Sequence, residues 1–520
     1  TSNPAFSPNG ELIAFHREGN PTASGIFVQS LNSGAVTQLT QNDHDYAPAW
    51  SPDGRSLAFG RFNDHGTVSL NLLSLDKPNA EHKIETPIAA KRPELTFSPD
   101  GTSIVYSSAN GLTFLNLQNS AMHQLTEAPP QSIDWGPAFS PDGRTLLFVR
   151  STKADYTDQL LTIPAHGGEP TQIASEHADM LGPPQWSADG GAIVFASNRG
   201  SHPGLWRVSA HLRDTPVQIN DSGWYPAISR STARLAYQRI TRSLNIWELN
   251  SVSTNKKAKI LVPATSETDQ GPAPQISPDN KKLAYMSDRS GTMEIWISDR
   301  DGTNPRQLTS IGNVGTPRWS RDSQSIVFDA NHGRGSSIYT IAISGSPPRL
   351  ITPDETHNVC PSYSRDGNWI YFASHRSGEF EVWKVPSAGG TATQLTHHGG
   401  HAPLDSADGK TIYYAKTFLA NPEIWQIPVN GGPEKLVSTQ IRPPSWAAWS
   451  VTDKGIAYAA PSSSGKPVVQ LFNINTHKVT ELATLDIPPF WLAVSPDAST
   501  ILFDQPGWQQ AQIMLVDNFH

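Results

Sequence analysis

A turn of the form Ser-Pro-Asp-Gly recurs along this 520-residue chain, and its spacing constrains the fold more than any other feature. Its serine stands at Ser7, Ser51, Ser98, Ser140, Ser187, Ser229, Ser277, Ser320, Ser364, Ser406, Ser450 and Ser495, which makes twelve units 42 to 48 residues apart. Ser51-Pro52-Asp53-Gly54 and Ser140-Pro141-Asp142-Gly143 are intact, whereas Ser229-Arg230-Ser231-Thr232 keeps the position and little of the identity. Proline presets φ at the second turn position, and the Asp, Asn or Gly after it supports the turn or tolerates positive φ. A fixed period of this length marks a repeat architecture, in which one unit cannot bury its own apolar face and must stack on its neighbours.

Segment 274–309 is the clearest unit. It reads as four short strands joined by three turns, the first strand at Gln275-Ile276-Ser277 and the last ending at Thr309. The second strand of each unit is small, apolar and closed by an aromatic, as in Leu57-Ala58-Phe59, Ile193-Val194-Phe195 and Ile370-Tyr371-Phe372. The third alternates, as in Ile246-Trp247-Glu248-Leu249 and Val382-Trp383-Lys384-Val385, the period-two pattern of a half-buried strand. With 43 Pro, 39 Gly and 15 Trp, composition also favours many short strands over helices.

Four antiparallel strands per unit at this period predict an all-β fold, a β-propeller of twelve four-stranded blades. A solenoid of β-hairpins is the competing architecture. Twelve blades exceed the four to eight usual in one ring, so the expectation is two six-bladed rings in tandem. The polar stretch 250–259 sets the domains at 1–257 and 258–520, and a seven-plus-five division is less balanced. Gln512-Ile513-Met514-Leu515-Val516 reads as a third strand with no fourth after it, and Lys259-Ile260-Leu261-Val262 as an outer strand available to close the second ring. The same logic asks for a strand before Thr1 to close the first, and Thr1 reads as the start of a processed or truncated chain.

The consensus also carries a resemblance. Ser277-Pro278-Asp279-Asn280, Ser287-Asp288-Arg289-Ser290-Gly291, Ile295-Trp296 and Gln307-Leu308-Thr309 are similar to TolB-type propeller repeats, and the likeness extends over the whole chain. A narrower one lies in 394–403 (QLTHHGGHAP), Pro422-Glu423-Ile424-Trp425, 492–497 and 513–519, which resemble the propeller part of bacterial CadC-like winged-helix regulators. That second resemblance implies a DNA-binding domain and a membrane helix before Thr1, and a periplasmic or otherwise extracytoplasmic placement for this region.

The loops from an outer strand to the next inner strand gather at one mouth of each ring and carry most of the polar candidates. These are His44 and Asp45 beside Asp43, His177 with Glu176 and Asp179, His357 after Asp354-Glu355, and His397, His398 and His401. Three imidazoles suit zinc or another transition metal. Consecutive side chains on extended backbone diverge, however, so His397 and His398 share an ion only if Gly399-Gly400 turns the chain. Asp43, His44 and Asp45 suit an acid–base or cation site or, as turn residues, a hydrogen-bonded loop. Trp135, Trp224, Tyr225, Trp446, Phe490 and Trp491, with Arg442 nearby in sequence to Trp446, offer an aromatic platform for a sugar or peptide or, equally, packing between blades. The turn aspartates repeat by blade and read as scaffold.

Charge excludes one class. A net charge of −8 with no dense Lys/Arg run argues against nucleic-acid binding through this region. Cys360 is the sole cysteine, so no intrachain disulfide forms, and no apolar run is long enough to span a bilayer. There is no G-x-S-x-G elbow, H-E-x-x-H helix or phosphate loop. The expected function is therefore a non-enzymatic recognition or sensor module that takes a protein, peptide or glycan at a propeller mouth, with no cofactor and with membrane contact only through residues before Thr1. The alternative is a metal-dependent hydrolase or lyase with its ion in a channel mouth.

Overall fold

The computed structural model describes residues 1–519 apart from 19–22, 64–67, 77–80, 89–93, 153–156, 177–179, 199–202, 212–213, 253–256, 264–271, 332–334, 354–355, 419–420 and 463–464. Every regular element among them is a β-strand. Ten sheets hold four strands each, paired in sequence order from inner to outer, and one further sheet holds five. In the 274–309 unit, Lys282–Ser287 pairs with Glu294–Asp299 without a register break, flanked by Gln275–Ile276 and Arg306–Gln307.

The Ser-Asp turn is held by its own side chains. Ser277 Oγ donates to Asp279 Oδ1 at 2.6 Å and accepts the Lys282 N–H at 2.9 Å, with Asn280 at φ 58°. The same bond recurs at Ser51, Ser140, Ser320, Ser364 and Ser495, and with Asn9 in place of Asp at Ser7. Second strands form the floor of each blade: Leu57, Ala58, Phe59, Ile193, Val194 and Phe195 are fully buried. Burying each large side chain contributes roughly 1.5–3 kcal/mol. The third-strand tryptophans Trp206, Trp247, Trp296, Trp383 and Trp425 are half-buried, as alternation requires.

Inner strands share a second device. Their second or third residue has positive φ and is followed by proline: Asn3-Pro4, Ala47-Pro48, Tyr225-Pro226, Thr316-Pro317, Cys360-Pro361 and Ala402-Pro403. The register shifts at the same places, for example between Tyr46 and Ala49 and between His401 and Leu404. A bulge interrupts the ladder where proline has no N–H to give, and the inner strand is the blade edge, where proline is tolerated.

The chain divides into two compact units, residues Thr1–Ile240 with Gln510–His520, and Thr241–Gln509. In the first, neighbouring inner strands Ser2–Phe6, Asp45–Trp50, Leu95–Phe97, Ser132–Phe139, Gln185–Trp186 and Trp224–Ile228 contact one another in a closed ring of six. In the second, Gln275–Ile276, Val314–Trp319, Asn358–Tyr363, His401–Asp405, Trp449–Thr452 and Leu492–Val494 do the same. Each unit is thus a six-bladed propeller.

The division falls at 240/241, inside the strand Arg234–Asn250, whereas the polar stretch suggested 257/258. Residues 234–240 are the second strand of the first unit's last blade, and 245–250 the third strand of the second unit's last blade. The strand Thr500–Asp517 is divided in the same way. Its start pairs with Leu492–Val494 in the second unit, and 510–517 lie beside 234–240 in the first. The C-terminal segment is a third strand, as expected, but it serves the first ring. Lys259–Val262 is indeed an outer strand of the second unit's last blade, where it pairs with Ile246, Trp247 and Glu248.

Candidate functional site

Loops before inner strands and loops joining second to third strands emerge at the same mouth of a blade, because strands alternate in direction. In the second unit these two sets converge on an aromatic cluster. His401 opens an inner strand, with Phe380 and Phe418 on second-to-third-strand loops and Trp446, Phe490 and Trp491 ahead of later inner strands. Ring centroids lie 5.0 Å apart for Phe380–His401, 4.6 Å for His401–Phe418 and 4.6 Å for Phe418–Trp446. Trp446 then meets Trp491 at 5.0 Å and Phe490 at 5.9 Å, both edge to face. This is the geometry in which aromatic pairs add to simple area burial.

The cluster is rooted and capped. Trp446 and Trp491 belong to the unit's main core cluster. Ser445 Oγ donates to the Phe490 carbonyl at 2.6 Å, tying two rim loops, and Trp449 Nε1 donates to the Trp446 carbonyl at 2.8 Å. At the top, Phe418 and Phe490 remain 38% and 47% exposed, an apolar surface on a polar rim. Arg442 adds charge there through its ion pair with Glu423 at 2.8 Å, and Glu423 also accepts from Trp425 Nε1.

His401 is a wedge in this cluster. Burial pushes its imidazole down to about 3, and Nδ1 has no hydrogen-bond partner, so the ring is neutral and packs as an aromatic. His397 and His398 point elsewhere: both are exposed, while His401 is buried. The turn between them belongs to the scaffold. Gly399 N–H donates to the buried Glu381 carboxylate at 2.9 Å, which also accepts from Thr396 Oγ at 2.5 Å. The blade containing Glu294, Thr309 and Gly312 has the same arrangement and no histidines. Among the described residues no three His, Cys, Asp or Glu side chains are grouped to hold a metal ion. His357 is half-buried, and its carbonyl accepts from the His375 N–H. Asp354 and Glu355 lie outside the described residues.

The candidates of the first unit fall into a different pattern. Asp45 is fully buried and bidentate to Arg61, at 2.5 and 3.0 Å, and Arg61 in turn reaches Glu81. Asp134 holds Arg150 in the same way two blades on, so Asp45 is a scaffold carboxylate. His44 is exposed, 3.7 Å from Asp43. Trp135 is buried and donates to Ser151 Oγ, a packing role. Trp224 is half-buried, and Tyr225 lines an axial cavity of about 350 Å3 together with inner-strand prolines. His177 and Asp179 lie outside the described residues. Cys360 is buried at an inner-strand bulge, where burial raises its thiol pKa and makes it a poor nucleophile.

Phe380 and Phe418 are what sequence reasoning missed. The signal was there in the departure from the Ser-Asp-Arg-x-Gly pattern at 374–380 and 415–423, which carry His375, Phe380 and Phe418.

Comparison with known proteins agrees with this architecture. The TolB beta propeller domain family matches residues 272–448. An uncharacterized protein of Agrobacterium fabrum, Atu1656, is 32% identical over 123 residues, 23% of this chain and 42% of that protein. The uncharacterized peptidase YuxL of Bacillus subtilis is 26% identical over 203 residues, 38% of this chain and 29% of the peptidase. The Tol-Pal system protein TolB of Francisella tularensis subsp. mediasiatica is 36% identical over 100 residues, 18% of this chain and 23% of that protein. The chain thus spans less than half the length of each of these relatives.

Proposed function

We propose that this region is a recognition module that captures a protein or peptide segment at the aromatic mouth of the second propeller. The observation that carries the reading is the continuous run of rings from Phe380 to Phe490, buried at its base and exposed at Phe418 and Phe490. Fixed aromatic surface beside a charged rim is the composition of binding hot spots, where large side chains bury area at low entropic cost. The TolB family match, which covers Phe380, His401, Phe418 and Trp446 of this run, supports a binding role, and one of the relatives is a Tol-Pal system protein. In this reading the chain is the extracytoplasmic, sensing part of a membrane-tethered regulator and uses no cofactor. Its aromatic mouth, rather than a metal, does the recognition.

The double variant Phe418→Ser/Phe490→Ser tests it. Both side chains are exposed enough for the substitutions to leave folding intact, and loss of two hot-spot aromatics should weaken partner capture by at least about tenfold. Capture of the same partner at unchanged affinity would overturn the assignment of the mouth. Stoichiometric metal in purified protein, accompanied by hydrolysis of a substrate, would replace the recognition reading with the enzymatic one. Protease accessibility of the full-length protein in spheroplasts checks the placement.

A further inference from the structure

At the turn end of the same unit, away from the aromatic mouth, the axial channel holds a cavity of about 210 Å3. Its lining breaks the repeat in three places. Arg318 stands one residue before the strand's last aromatic, where other units carry Ala5, Ala49, Ala138 and Ala227. Arg321 and Arg365 replace the turn proline found at Pro52, Pro141 and Pro278. A repeated scaffold gives no reason for these exchanges, since the turn bond is intact at both: Ser320 still reaches Asp322, and Ser364 still reaches Asp366.

Among the described residues neither the Arg318 nor the Arg321 side chain has a hydrogen-bond or ion-pair partner, and the Arg365 side chain has one long contact, 3.4 Å to Asp453. The first propeller shows what a satisfied arginine in this setting does: Arg230, at the equivalent turn position, donates to the Phe139 carbonyl at 2.8 Å. Arg318 is desolvated enough that burial pulls its guanidinium down to about 10. Arg318 is half-buried, with its guanidinium open to the cavity and no counter-charge, and its planar fork matches a carboxylate or phosphate in two parallel hydrogen bonds. The one carboxyl among the lining residues, Asp405, does not neutralise Arg318. Its Oδ2 accepts the Arg365 backbone N–H and its buried Oδ1 has no partner.

We propose that this cavity binds a small polar molecule through a carboxylate or phosphate group, with Arg318 as the principal contact and Arg321 and Arg365 at the rim. The volume lies below the roughly 300–1,000 Å3 of sites for drug-sized ligands, which fits a small metabolite. The site stands apart from the aromatic mouth and does not depend on what that mouth binds.

Titration calorimetry and thermal unfolding with inorganic phosphate and with malate, against sodium chloride at matched ionic strength, test the proposal on the whole chain. Saturable binding of at least one probe is expected, and which one binds distinguishes a phosphate ligand from a hydroxycarboxylate. Arg318→Met should weaken it by at least about tenfold, and without probe the variant should melt close to the parent, since no hydrogen bond or ion pair of Arg318 is lost. If Arg318→Met does not fold, Arg321→Gln/Arg365→Gln carries the test, with weaker binding again expected. Absence of saturable binding to both probes, a response matched by chloride, or parental affinity in the folded variant overturns the site.

Discussion

Removing residues 510–520 should unfold the last blade of the first propeller while sparing the second. The segment supplies that blade's third strand, and its apolar residues enter two of the first unit's clusters. Ile513 packs with Phe15, Phe27, Ala227 and Ala236, and Met514, Val516 and Phe519 pack with Val194, Leu205, Leu235 and Tyr237. All four are partly buried. At about half of the 1.5–3 kcal/mol for full burial, they contribute roughly 3–6 kcal/mol together. The hydrogen bonds from Thr1 Oγ to Ala511 and from Phe519 N–H to Ala233 add about 1 kcal/mol each at most. Set against a typical domain stability of about 5–15 kcal/mol, this loss is severe. For a unit of about 250 residues each kcal/mol shifts Tm by about 2–4 °C, so its transition should fall by about 10–30 °C. Hydrogen exchange read peptide by peptide is the assay. Protection should collapse over 224–240 and persist over 282–299. Unchanged protection at 224–240, or a Tm within about 2 °C of the parent, would show that 510–517 is not integral to the first ring.

Two further outcomes follow from buried polar groups. Desolvation raises the Asp329 carboxyl from 3.8 to about 6, against the hydrogen bonds from Thr316 and from the Cys360 N–H. The folded state therefore holds this proton more tightly than the unfolded one, and the stability it contributes is complete below about pH 4 and lost as pH rises through about 6. The span is at most about 3 kcal/mol. Asp329→Asn should remove that fall, so urea midpoints of variant and parent should diverge in the variant's favour between about pH 4 and pH 7; a constant difference would be the contrary result. Thr396→Val deletes the hydroxyl that donates to Glu381 and accepts from the Val382 N–H at 2.8 Å. Leaving a buried carboxylate short of a donor should cost about 2–4 kcal/mol and lower Tm by about 5 °C or more, measured by calorimetry. A shift under about 1 °C would refute the structural role given to that carboxylate.

The blades were legible because their signals are local. The turn serine, its aspartate two residues on and the alternation of the third strand each sit within a few residues, and all three appear where the sequence put them. The partner of a third strand is not local. Segment 510–517 has the same alternation whichever ring it completes, and the choice is made by long-range packing of Ile513 and Met514. For the site, position in the repeat identified His401, Trp446, Phe490 and Trp491, which do meet. Chemistry read from residue type alone misled at Asp45, whose carboxylate is spent on Arg61, and at His397 and His398, which a scaffold turn holds in solvent.

The divided strands also set an order of events. As the chain leaves the ribosome, five blades of the first propeller and the second strand of its sixth are complete by Ile240, yet the strand that finishes it arrives some 270 residues later. Until then strand 234–240 has an open edge, able to pair with any passing strand. Closing a loop of that length costs only slowly growing entropy, about 0.6 kcal/mol for each doubling, but contacts so distant in sequence form slowly. The first propeller is therefore finished after the second, and folding passes a checkpoint at which the arrival of residues 510–517, not the folding of any blade, decides whether the first ring closes.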